Sequence, residues 1–126
     1  MDLEFAQRIL LEIMEQYNSQ QKLEILWHGG EPLLWGINNY RKIFEFIDLA
    51  FANTRHVISM QTNLSLITDE FIELFLKHNV SVGISLDGPQ YINDSERVFP
   101  DGSGTFNSVL SKLRHCKEKG LSTGCI

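Results

Sequence analysis

Leu23-Glu24-Ile25-Leu26-Trp27-His28-Gly29-Gly30-Glu31-Pro32 is a short, mostly apolar run halted by two glycines and a proline. That length and that stop describe a buried strand delivering its chain into a loop. Upstream, residues 3–17 place Ala6, Ile9, Leu10, Ile13, Met14 and Tyr17 at i, i+3, i+4, i+7 spacing, an amphipathic helix. Downstream, Asn38 or Asn39 is expected to cap a helix whose stripe is Tyr40, Ile43, Phe44, Ile47, Ala50 and Phe51. Helix, strand and helix set the rhythm of the whole chain.

The alternation continues. Residues 56–61 read as a second strand. Thr68-Asp69-Glu70 opens a third helix with a capping hydroxyl and first-turn acids, and His78-Asn79 closes it. Residues 80–86 read as a third strand, ended by Asp87-Gly88-Pro89 and followed by a polar loop through Gly104. Thr105 is expected to cap a fourth helix with Phe106, Val109, Leu110 and Leu113 inward, closed by Gly120, and residues 121–126 read as a fourth strand. Strands separated by single helices require right-handed crossovers and a parallel sheet. The fold class is therefore α/β with about four β/α units, a partial parallel (β/α) barrel or a small open sheet.

Composition narrows function by exclusion. The 126 residues carry a net charge of -5, against the basic face of a nucleic-acid binder, and no apolar run approaches a membrane span. The acidic opening Met1-Asp2-Leu3-Glu4 does not read as a signal peptide, so a cytoplasmic setting is expected. Cys116 and Cys125 are too far apart for a C-x-x-C pair and read as small core thiols, so no four-cysteine metal or cluster site can be built from this chain.

In a parallel array every strand-to-helix loop emerges at the carboxyl end of the sheet, where ligand sites form. Those loops carry His28-Gly29-Gly30-Glu31-Pro32, then Gln61-Thr62-Asn63, then Ser85-Leu86-Asp87-Gly88 with Asn93, Asp94 and Arg97 beyond. The opposite turns, Ser19-Gln20-Gln21, Asn53-Thr54-Arg55 and His78-Asn79, are generic surface. Singly, each rim residue has a plain explanation: glycines for a tight turn, Glu31 as a solvated first-turn acid, Asn63 for turn geometry, Arg97 as a surface cation. Converged on one rim they make a site. Ser85 and Asp87 alternate with Ile84 and Leu86 and should face the same side.

The same segments resemble a known family. Trp27-His28-Gly29-Gly30-Glu31-Pro32 is similar to the GGEP motif of radical S-adenosylmethionine (SAM) enzymes, in the form found in SPASM-type peptide and protein maturases, which include sulfatase-maturing and peptide-crosslinking enzymes. Met60-Gln61-Thr62-Asn63 resembles their Q-T-N segment. Ile84-Ser85-Leu86-Asp87-Gly88-Pro89, Asn93-Asp94, Arg97 and Gly102-Ser103-Gly104-Thr105-Phe106 resemble their S-L-D-G-P…H-D…R…G-x-G-[ST]-F stretch.

The resemblance implies a cofactor-binding set. The backbone of Gly29, Gly30 and Glu31 would hold the SAM amino group with His28 beside it. Ser85 and Arg97 would contact the ribose and methionine carboxylate side, Asn63 would shape the cavity, and Asp87 would orient its loop. In an intact enzyme a 4Fe–4S cluster on C-x-x-x-C-x-x-C donates an electron to SAM, and the resulting 5′-deoxyadenosyl radical abstracts hydrogen from a peptide or protein substrate. This sequence departs from the pattern: the cysteine motif is absent and would lie upstream of Met1, and Asn93 stands where many relatives have His. Residues 1–126 are accordingly expected to form one partial core domain, truncated at both ends. The cluster is expected only in an intact parent, and this chain alone should be inactive. A cluster-less SAM-binding or partner module is the alternative, open sheet edges predict self-association, and a metal-hydrolase rim on His28, Glu31, Asp87 and Asp94 ranks below both.

Overall fold

The computed structural model describes residues 2–17 and 22–125. Elements follow in the order α1 (Leu3–Gln16), β1 (Leu23–Trp27), a 3-10 turn (Pro32–Trp35), α2 (Ile37–Ala50), β2 (His56–Thr62), α3 (Asp69–Lys77), β3 (Ser81–Ile84), α4 (Gln90–Glu96), α5 (Phe106–Glu118) and β4 (Thr123–Cys125). The four strands pair in sequence order, all parallel. The parallel α/β sheet follows the predicted alternation, and the four β/α units form part of a (β/α) barrel. The Ser19-Gln20-Gln21 turn and the last residue of the fourth expected strand lie outside the described residues.

One face of the sheet carries the core. Ile58, Met60, Val82 and Ile84 point there, against Ile43, Phe44 and Ile47 of α2 and Phe71, Ile72 and Phe75 of α3. Phe44 and Phe75 lie 6.2 Å apart between ring centroids, and burying each is worth about 2–3 kcal/mol. Helices α3 and α5 end by the same device. A left-handed residue, Asn79 (φ 51°) or Gly120 (φ 86°), lets the next amide reach back, Val80 N–H to Phe75 O and Leu121 N–H to Cys116 O, each 2.9 Å. Each stop then launches the next strand. Cys116 is wholly buried, and burial pushes its thiol up from the ordinary value.

Three local expectations change. Neither Asn38 nor Asn39 caps α2: the 3-10 turn ends at Gly36 (φ 87°), which takes the cap position, and the Asn39 side chain donates to Trp35 O instead (2.7 Å). The loop expected to run to Gly104 contains α4, started by Pro89 at φ -69° and buried only at Asn93. Thr105 stands at the N-terminus of α5 in helical conformation, so its hydroxyl does not cap. Asp94 caps from outside, its Oδ1 accepting from Phe106 N at 2.9 Å.

Candidate functional site

Among the described residues nothing covers the second face of the sheet. Along β1 and β2 burial alternates residue by residue, and the open positions are Glu24 and Leu26 on β1, Ser59 and Gln61 on β2, Ser81 and Gly83 on β3. An α/β sheet covered on both faces would carry apolar side chains there. Here the open face is polar or small, with Leu26 an exception at 54% exposed. A hollow of about 670 Å³ lies over it, and Ser85, Asp87, Arg97 and His28 stand at its carboxyl-end rim. Glu24 accepts from the Ser59 hydroxyl at 2.8 Å, and Gln61 Nε2 donates to Ser85 Oγ at 2.9 Å, lacing the strands across this face.

The glycine turn at the end of β1 is held from behind. Gly29 (φ 100°) and Gly30 (φ 56°) take conformations that side chains disfavour, and a Cβ at either would meet only open space. Backbone geometry rather than crowding therefore requires glycine, and the space beside the turn stays free for a ligand. Below it Trp27 stacks on Trp35 at 5.2 Å, and Tyr40 meets both edge-on at 5.5 and 5.1 Å. The Tyr40 hydroxyl donates to Pro32 O at 2.9 Å. Burial, reinforced by the Glu31 charge, pushes that phenol well above its ordinary range.

Glu31 does something its position in a polar loop does not announce. Its Oε1 accepts from Thr62 Oγ1 at 2.6 Å and from Leu33 N at 3.1 Å, and its Oε2 accepts from Asn63 N at 2.9 Å. The carboxylate is thus engaged by the chain's own donors, and what remains for a ligand at Glu31 is backbone. Asn63, through Oδ1, accepts from Ser65 N at 2.7 Å and folds its own loop.

Arg97 and Asp87 form a two-point pair, Nε to Oδ2 at 2.6 Å and Nη2 to Oδ1 at 3.2 Å. The guanidinium beside Asp87 holds its carboxyl below the usual carboxylate range, against a smaller opposing effect of desolvation. Ser85 and Arg97 line the sheet-face hollow and also a second one of about 290 Å³, which Asn63 and Lys112 border. His28 and Gly29 border a third with Trp27, Trp35 and Tyr40. The structure therefore brings His28, Ser85, Asp87 and Arg97 to one hollow, with Gly29, Gly30 and Glu31 on the adjoining turn and Asn63 behind the Ser85–Arg97 wall.

The geometry gives the metal-hydrolase reading no support. Both oxygens of Glu31 and of Asp87, and Oδ1 of Asp94, accept from the chain's own donors, and among the described residues no three His, Cys, Asp or Glu side chains converge as a metal site. Sequence reasoning missed the parts played by Gln61, Thr62 and Asn93. The polar alternation Ser59, Gln61 and Ser81, Gly83, Ser85 was the available signal for the first of them.

The chain matches known proteins along almost its whole length. The family model described as "Radical SAM superfamily" matches residues 4–126. An uncharacterized protein of Methanothermobacter thermautotrophicus is 35% identical over the full chain, which covers 46% of that protein. A serine-type anaerobic sulfatase-maturating enzyme of Bacteroides thetaiotaomicron is 34% identical over 92% of the chain and 29% of its own length. Among solved structures, native anSMEcpe with bound AdoMet and Cp18Cys peptide superimposes with a TM-score of 0.89 at 25% identity, covering 99% of this chain and 34% of that one. The chain spans less than half the length of each of these relatives.

Proposed function

This chain belongs to the radical SAM superfamily, and we propose that residues 1–126 form part of the core domain of a maturase that, when intact, reductively cleaves S-adenosylmethionine to modify a peptide or protein residue. The observation that carries this reading is the meeting of the Gly29-Gly30 turn with Ser85 and the Asp87–Arg97 pair at one rim of a polar, uncovered sheet face. Gly29, Gly30 and the Glu31 backbone offer carbonyls to an ammonium, with His28 beside them. Arg97, with Ser85, offers a planar cationic donor to a carboxylate. SAM supplies, when bound and reduced, the radical chemistry of such enzymes. The residues present fit SAM, since the turn leaves open space where a Cβ would stand.

They do not fit the cluster. The sequence has two cysteines, and Cys116 is buried on the helix side of the sheet, away from the rim. A 4Fe–4S cluster would be held by polypeptide outside these 126 residues, and on this proposal the chain alone is inactive and its setting cytoplasmic. No helix among the described residues is long and apolar enough to cross a membrane. The sulfatase-maturating relative and the peptide-bound neighbour support a peptide substrate. The test is anaerobic reconstitution with iron and sulfide. The expected result is no 4Fe–4S absorbance and no cleavage of SAM, whereas a well-formed cluster and cleavage from this polypeptide would overturn the proposed inactivity. SAM binding that persists without cleavage when a cluster-bearing segment is supplied favours the non-catalytic module. Arg97→Ala should weaken SAM binding in either setting.

A further inference from the structure

Asn93 is a polar residue with 0% exposure on a seven-residue helix that buries nothing else. Burying an amide without partners is costly, so its surroundings show what it is for. Its Oδ1 accepts from Asp87 N at 3.3 Å, and its Nδ2 donates to Thr105 Oγ1 at 3.1 Å and to Asp94 Oδ1 at 3.0 Å. The amide has one workable orientation. Reversed, its NH2 would face the Asp87 N–H and its oxygen would face the Asp94 carboxylate.

These contacts close into a ring. Asp87 grips the Arg97 guanidinium through both oxygens. The Arg97 carbonyl accepts from the Thr105 hydroxyl at 3.0 Å and from the Thr105 amide at 3.2 Å. Thr105 Oγ1 in turn accepts from Asn93. A cross-tie runs through the middle, Arg97 N–H to Asn93 O at 2.8 Å. Arg97 is therefore held at its guanidinium, through Asp87, and at its backbone carbonyl, through Thr105, and both restraints meet in the Asn93 side chain. A long, half-exposed arginine loses much conformational freedom when it is fixed, so pre-setting it lowers the cost of binding an anion.

The geometry points to Asn93 as the positioning residue of Arg97: through Asp87 and Thr105 it sets the direction in which the guanidinium faces the rim. Its value to a bound ligand rests on the reading of Arg97 as a cofactor contact, but the positioning itself does not.

The test reads the ring without any cofactor. In isotope-labelled protein, NMR follows hydrogen exchange at Arg97 Nε–H and titration of the Asp87 carboxyl. Asn93→Ala should speed the exchange about tenfold and move the Asp87 titration up toward the ordinary aspartate value of about 3.9. Thr105→Val keeps the side-chain shape and removes the hydroxyl, so it should have the same effect, while Thr105→Ser should restore wild-type behaviour. A merely structural role, in which shape alone matters, predicts the opposite order for the two Thr105 variants. Should Asn93→Ala fail to fold, the Thr105 pair decides the matter. Folded Thr105→Val protein with unchanged Arg97 exchange and Asp87 titration overturns the proposal. If the ring responds as expected but Arg97→Ala leaves SAM binding untouched, the positioning stands and the cofactor reading falls.

Discussion

The carboxylate of Glu31 receives the Thr62 hydroxyl at 2.6 Å, joining the loop after β1 to the last residue of β2. With Leu33 N and Asn63 N it completes a clamp on both segments, so the glycine turn and the Asn63 loop keep one fixed separation. A half-buried carboxylate with three donors is a stability element first.

Glu31→Ala should therefore cost about 2–3 kcal/mol in chemical denaturation, since two backbone amides and a hydroxyl lose an ionised acceptor. Glu31→Gln should cost less, about 1–2 kcal/mol, because one of its two ends then presents NH2 to a donor. A fully exposed role for Glu31 predicts no change for either variant, and urea curves distinguish the two.

Gly104 is required by its neighbour and not by its own backbone. A Cβ there would lie 2.6 Å from the Asp94 Cβ and closer still to the carboxyl group that caps α5. Gly104→Ala should destabilise by about 1–3 kcal/mol through overpacking alone. Thermal melts should show that loss, and backbone NMR should place the disturbance at Phe106.

The Asp87–Arg97 pair predicts a signed response to acid. The Asp87 carboxyl is held below its ordinary value in the folded chain by the Arg97 hydrogen bonds. Its contribution is therefore present above the unfolded value of about 3.9 and is lost as pH falls through the folded one. Asp94, capping α5, and Asp69, bonded to His115 and Lys119, are depressed in the same direction. The melting temperature should fall below about pH 4. In Asp87→Asn the acid limb should be shallower. Added salt should weaken the effect, because both side chains are partly exposed.

The outer strands predict association. Among the described residues, strands β1 and β4 each pair on one side only, and Leu26, Ile9 and Ile13 lie exposed along the β1 side. Free strand edges beside apolar surface recruit further strands. Sedimentation should show mass rising with concentration; a clean monomer at high concentration would count against this.

Much of this was legible in the sequence, and the limits have physical causes. The stripe of α2 and the stops at Asn79 and Gly120 follow from periodicity and left-handed residues, both local signals. The rule that parallel strands deliver their loops to one end placed Ser85, Asp87 and His28 together. Helix α4 was not legible, because its buried residue is polar and its partners Asp87 and Thr105 lie 6 and 12 positions away. The same holds for Glu31, whose donors beyond Leu33 lie 31 and 32 residues downstream. Thr105 has the residue type of a cap but a helical backbone, which leaves that task to Asp94.

The most direct test of the central claim, that this rim is a SAM cradle, is an NMR titration of the labelled protein with S-adenosylmethionine up to about 10 mM, a range that captures even millimolar binding. The account predicts shifts concentrated at Gly29, Gly30, Ser85 and Arg97 and lost in Arg97→Ala. Saturation without shifts at those residues, or shifts confined to the outer helices, would contradict it.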